Sequence, residues 1–189
     1  MEKIRRPSGA FPSLPAGIDR LLKLYFDRFR INNELPPELK KYNLSVRLFN
    51  NKEKLMLWRN NWKGLRYRDG NILLSGAIDD ILEKDGKLIV LDFKTRGYPI
   101  KDDTITRYLN QMNIYNLLLR KNGYDTEDYA YLLFYIPRNI TNNGIIIFDN
   151  ELVKVKTSVY DAKLLLERAI KVIRGEIPNA SDSCLFCKT

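Results

Sequence analysis

The sequence predicts an α/β fold in which one mixed β-sheet is flanked by helices. Three observations carry that prediction. Apolar residues recur at three- and four-residue spacing early in the chain, the mark of an amphipathic helix. Lys84-Asp85-Gly86 separates two β-type runs, the mark of a hairpin. Residues 129–137 (Tyr-Ala-Tyr-Leu-Leu-Phe-Tyr-Ile-Pro) are apolar on both faces, as a central strand covered on both sides must be. With 189 residues, 44% of them hydrophobic, the chain is long enough to bury a core as one domain over 1–189.

The elements follow in order. Pro7, Pro12 and Pro15 make residues 1–15 a poor helix, expected as an irregular arm. From Ala16 to about Phe29, Ile18, Leu21, Leu22, Tyr25, Phe26 and Phe29 define a helix, and Pro36-Pro37 punctuates after it. A second helix is expected over about Lys52 to Trp62, with Leu55, Trp58 and Trp62 on one face. The hairpin strands are Asn71–Glu83 and Lys87–Thr95. Thr104 is placed to cap a long helix to about Asn122, and Gly123 to end it. After the apolar strand, Ile145–Phe148 and Leu152–Thr157 read as strands around Asp149-Asn150. Ser158, with Asp161 three residues on, opens a last helix that Gly175 and Pro178 stop, leaving 179–189 as a tail.

Composition excludes several chemistries. Histidine is absent, which removes Ser/His and Cys/His nucleophiles and every His-built zinc site. Cys184 and Cys187 stand too close together to staple a fold. No apolar run approaches the ~20 residues of a membrane span. Residues 1–7 lack the apolar core of a signal peptide, so the expected location is the cytoplasm. Residues 1–70 carry 16 Lys/Arg against 7 Asp/Glu, whereas residues 71–189 carry 16 of each. A basic field confined to the first third suits a polyanion partner, with a solvated basic surface as the other reading of charge alone.

The hairpin carries the chemistry. With Asp85-Gly86 as a two-residue loop, Lys84 faces Lys87, Asp79 falls opposite Asp92, and Ala77 opposite Lys94. Alternation then sets Asp79, Asp92 and Lys94 on one face among Ala77, Ile81 and Val90. Two like charges opposed in an apolar hairpin are unfavourable without compensation, and a divalent cation between them would supply it.

The run Gly76-x-x-Asp79, then Asp92-Phe93-Lys94-Thr95, then Gln111-x-x-x-Tyr115 resembles the PD-(D/E)xK nucleases, most closely the RecB-like branch that includes CRISPR-associated adaptation nucleases. That resemblance implies a restriction-endonuclease-like mixed sheet flanked by helices, and metal-dependent hydrolysis of DNA. It assigns Asp79, Asp92 and the Phe93 carbonyl to Mg2+ or Mn2+, hard cations that take oxygen ligands. It assigns Lys94 to the attacking water or the transition-state charge, and places Gln111 and Tyr115, four apart on one helix face, against the site and the DNA. Asp80 is the less suited acid, since Asp79 stands three residues after the glycine. Arg96 and Arg107 flank the site and suit a neighbouring phosphate.

Two departures from the family follow from the residues. Many RecB-like members place a histidine or a glutamate upstream as an extra ligand; here Glu34, Glu38 and Glu53 are the candidates. Some relatives hold an iron–sulfur cluster with four cysteines, which two cysteines cannot do within one chain. Cys184-Leu185-Phe186-Cys187 therefore reads as two free cysteines, with a redox-active dithiol or half of a site shared between chains as alternatives. The segment Trp58–Arg68 interleaves aromatic and basic residues in a way that suits bases and phosphates, although such tryptophans are more often core. A non-catalytic DNA-binding or adaptor protein on the same fold is the rival reading.

Overall fold

The computed structural model describes residues 13–176 except Asp102, together with Asn179. The chain runs α1 (Ser13–Ile31), α2 (Pro37–Lys40), β1 (Arg47–Leu48), α3 (Lys52–Trp58), β2 (Leu65–Asp69), β3 (Ile72–Gly76), β4 (Asp80–Lys84), β5 (Lys87–Thr95), α4 (Thr106–Lys121), β6 (Tyr129–Ile140), β7 (Ile146–Lys156) and α5 (Val159–Arg174). Five strands form one sheet in the order β1-β4-β5-β6-β7, and β2-β3 form a separate ribbon. Only the β5–β6 pair is parallel, with α4 as its connection, so the sheet is mixed and flanked by helices, a restriction-endonuclease-like arrangement.

Period-two alternation sorts the two faces of this sheet. Val90, Leu132 and Phe134 meet Met112 and Leu118 of α4, while Ile89, Leu91, Phe93 and Leu133 meet Phe26 of α1 and Leu39 of α2. All but Phe93 of these are essentially inaccessible. Each buried side chain of this size contributes roughly 1.5–3 kcal/mol of transfer free energy. Among the described residues no helix is long and apolar enough to cross a membrane.

The hairpin turn behaves as its residues require. Asp85 and Gly86 both take positive φ, +48° and +79°, and Lys84 pairs with Lys87. The expected strand 71–83, however, is two strands in two sheets. The ladder with β5 begins at Asp80↔Leu91, so Ala77 does not face Lys94. The break has a non-local cause: the Ile78 N–H donates to the Trp58 carbonyl (3.0 Å), which turns the chain out of the ribbon and into the main sheet.

Other boundaries move for equally specific reasons. Helix α1 already starts at Ser13, because a proline in the first turn has no lost hydrogen bond; Pro15 is its third residue, and residues 1–12 lie outside the described part. Helix α3 stops at Trp58, so Trp58 and Trp62 do not share a face: Trp58 is 3% exposed and Trp62 87%. Thr104 does not cap α4; its Oγ1 accepts from the Lys101 N–H (2.9 Å), and the helix begins at Thr106. Gly123 at φ +83° does close α4, its N–H donating to the Arg120 carbonyl. Asp149-Asn150 is not a turn but mid-strand in β7, opposite Ile136 and Tyr135. Ser158 caps α5 by accepting from the Asp161 N–H (3.1 Å). Gly175 ends the helix, while Pro178 and residues 180–189, with both cysteines, lie outside the described part.

Candidate active site

The site forms where the start of β4 and the end of β5 meet α1 on one side and α4 on the other. Asp79 is the first residue beyond the β4 ladder. Its Oδ2 accepts from the Phe93 N–H (3.0 Å), so a side chain takes the place of a main-chain ladder partner. The guanidinium of Arg59 donates from Nε to the Asp79 carbonyl (2.8 Å), which fixes the main chain there. Gly76 prepares the approach. A Cβ at this position would sit 2.9 Å from Tyr115 Cε1 and 3.0 Å from Leu118 Cδ1, so only glycine lets β3 close on α4.

Asp92 is 2% exposed. The Lys94 ammonium stands 2.5 Å from Asp92 Oδ2, an ion-pair distance, but out of hydrogen-bond alignment, and this buried oxygen has no hydrogen-bond partner. Lys94 is positioned by α4: its Nζ donates to Gln111 Oε1 (2.9 Å) and lies 4.4 Å from the Tyr108 ring centre. Gln111 in turn donates from Nε2 to the Tyr115 hydroxyl (2.8 Å). Burial raises the Tyr115 phenol pKa above its usual value, keeping it neutral.

The structure adds two residues that the sequence reading missed, Asp19 and Lys23 of α1. Lys23 Nζ lies 2.7 Å from Asp19 Oδ2 and 2.8 Å from Asp79 Oδ1. Burial works against this ammonium, but Asp79 and Asp19 outweigh it and hold its pKa above the ordinary value. Asp19 Oδ1 is buried without a partner, and burial, with Asp79 second, raises the Asp19 pKa. A signal for both residues was present: Asp19, Lys23, Asp27 and Arg30 form a charged stripe at helical spacing on α1. Glu34, Glu38 and Glu53 are occupied elsewhere or exposed. Glu34 pairs with Lys40, Glu38 accepts from the Tyr25 hydroxyl, and Glu53 sits exposed in the first turn of α3.

Asp80 has a different task. It is fully buried, and it binds Arg30 Nη2 (2.6 Å) and Arg59 Nη2 (2.9 Å), both of which also pair with Asp27. Arg96, half-buried, points at the Tyr98 and Pro99 carbonyls, exposed Arg107 pairs with Asp103 (2.5 Å), and neither joins the acidic cluster.

A cleft of about 310 Å³ opens onto Asp19, Asp79, Phe93, Lys94 and Thr95. Burial and then the neighbouring Asp79 push the Asp92 pKa up to about 7. Among the described residues no group of three or more His, Cys, Asp or Glu is disposed to hold a metal ion. Lys23 stands between Asp19 and Asp79, so the acids present two orphaned oxygens rather than a closed cage. Carboxylate oxygens without hydrogen-bond partners are nevertheless the donors that a hard divalent cation takes.

A mixed sheet whose central hairpin sets an Asp beside an Asp-x-Lys, backed by a Gln-x-x-x-Tyr helix, belongs to the restriction-endonuclease-like class of fold. The sequence profile of the PD-(D/E)XK nuclease superfamily matches residues 5–189, and the chain belongs to that superfamily. No curated protein and no solved structure matches it at a significant level.

Proposed function

We propose that this protein is a RecB-like, metal-dependent deoxyribonuclease. One observation carries the reading: a buried Asp92 carboxylate, one oxygen without an aligned hydrogen bond, beside Asp79 and ion-paired with the Lys94 ammonium 2.5 Å away. Asp79, Asp92 and the Phe93 carbonyl would hold Mg2+ or Mn2+, with Asp19 as the upstream acid. An ion held there would supply a water of lowered pKa and a polarised scissile phosphate. Lys94, with one N–H bond spent on Gln111, keeps donors for the water or for a phosphoryl oxygen as negative charge grows. Gln111 and Tyr115 hold that ammonium in place. Arg96 and Arg107 would reach flanking phosphates of the DNA only by leaving the Tyr98 and Pro99 carbonyls and Asp103.

Purified protein is expected to cleave labelled linear or circular DNA with Mg2+ or Mn2+ and to stop in EDTA. Asp92→Ala and Lys94→Ala variants that remain folded should lose that activity. Undiminished cleavage by either variant rejects the assignment.

One observation favours a second reading, a non-catalytic DNA-binding or adaptor protein. Lys23 and Lys94 already neutralise Asp79 and Asp92 without any ion. That reading expects salt-sensitive DNA binding that persists in Asp92→Ala, and no cleavage with any metal.

A further inference from the structure

The segment Trp58–Arg68 divides into two halves with opposite fates. Trp58 is core, stacked on Phe49 with ring centres 5.3 Å apart, and Arg59 is spent on Asp27 and Asp80. Trp62, four residues on, is 87% exposed, the most open of the large hydrophobic side chains among the described residues. An indole left in water forgoes a large transfer free energy. It does so here on an ordered turn. Asn60 Oδ1 accepts from the N–H groups of both Trp62 and Lys63 (2.8 Å each), and the Gly64 N–H donates to the Asn60 carbonyl (2.8 Å). Gly64 takes φ +36°, and a Cβ there would lie 2.5 Å from the Gly76 carbonyl oxygen. The turn is thus seated on the residue three positions before Asp79.

Exposed cations lie on the turn and on the strand that follows it. Arg66 donates from its guanidinium to the Trp62 carbonyl, and Arg68 follows on the same exposed face of β2, with Lys63 exposed in the turn itself. Asp69 is the only acid between Trp62 and Leu74. An exposed flat ring followed by exposed cations on the same ribbon is complementary to a base joined to its phosphates.

We propose that the Trp62 turn is a binding site for single-stranded nucleic acid, in which an unpaired base stacks on the Trp62 indole while Lys63, Arg66 and Arg68 hold the adjoining phosphates. The proposal shares its substrate class with the nuclease reading and adds a contact outside the acidic cluster.

The test is oligonucleotide binding by the full chain in EDTA, where no metal-dependent cleavage can intervene. An unlabelled oligothymidylate should quench tryptophan emission by stacking, because Trp62 meets solvent and Trp58 does not. Trp62→Ala should abolish the quenching and weaken binding about tenfold, with Trp62→Phe close to wild type. An abasic oligomer of equal length should bind both proteins alike, and a blunt duplex should be indifferent to the substitution. Equal oligothymidylate affinity in wild type and Trp62→Ala, or an equal loss on the abasic oligomer, overturns the proposal. The DNA-cleavage assay fails or succeeds separately: Trp62-dependent binding without turnover sinks the nuclease reading and leaves this site standing.

Discussion

At the scale of single residues, Asp92 shows what a functional acid costs a fold. Its pKa is raised to about 7, so the folded chain binds this proton more tightly than the unfolded chain does. The contribution to stability is therefore complete below about pH 4 and lost as pH rises through about 7. At pH 8 the metal-free protein carries a charged, buried carboxylate that the Lys94 ion pair compensates only in part. Asp92→Asn is accordingly expected to raise the melting temperature of the metal-free protein, with a larger gain at pH 8 than at pH 5, as a thermal scan at both pH values will show. Mn2+ should raise the melting temperature of the wild type and leave Asp92→Asn unmoved. Gly76 shows the opposite kind of constraint. A methyl group there meets the Tyr115 ring and Leu118 at about the sum of repulsive radii. Gly76→Ala should cost about 1–3 kcal/mol in urea denaturation, the usual penalty of overpacking. It should also lower cleavage, because Tyr115 holds Gln111 and Gln111 holds Lys94.

At the scale of elements, α1, α3 and β4 are joined by charge as well as by packing. Asp80 sits between Arg30 and Arg59 with no exposure, and Arg59 also fixes the Asp79 carbonyl. Asp80→Ala leaves two buried guanidinium groups short of a partner and should destabilise by about 3–5 kcal/mol. Asp80→Asn, which keeps the shape, should cost less; equal losses in equilibrium unfolding would show that charge is not what the network supplies. The same elements explain what could be read from sequence. The hairpin register was legible because Asp85-Gly86 chooses the turn, and the turn chooses every pair after it. Asp79, Asp92 and Lys94 came with it, while Gly76, Gln111 and Tyr115 were singled out by the resemblance to the PD-(D/E)xK nucleases. The split of 71–83 was not legible, because one bond between Ile78 and the distant Trp58 carbonyl makes it. Asp149-Asn150 misled for a related reason: pairing along twelve residues of β6 overrides a local turn preference. Asp19 escaped because its neighbour is Asp79, sixty residues away in sequence, and only the charged stripe on α1 hinted at a buried polar face.

At the scale of the whole molecule, the basic residues that crowd positions 1–70 include two groups with different fates. Lys23, Arg30 and Arg59 are consumed internally by Asp19, Asp27, Asp79 and Asp80. Lys63, Arg66 and Arg68 have no acidic partner among the described residues and face solvent on the ribbon side. Net charge alone would credit both groups equally with binding a polyanion, yet only the second can release counterions from a phosphate chain. For single strands the slope of log K against log salt is about −0.7 per neutralised phosphate. Converting Lys63, Arg66 and Arg68 together to glutamine should therefore flatten the slope by about 2. Arg59→Gln, which removes one charge of the same sign from the interior, should leave the slope within experimental error while lowering stability. Fluorescence anisotropy between 50 and 300 mM salt, in EDTA, separates the two: a comparable flattening in Arg59→Gln would mean that the field acts as an undivided whole and that the ribbon face holds no special place in it.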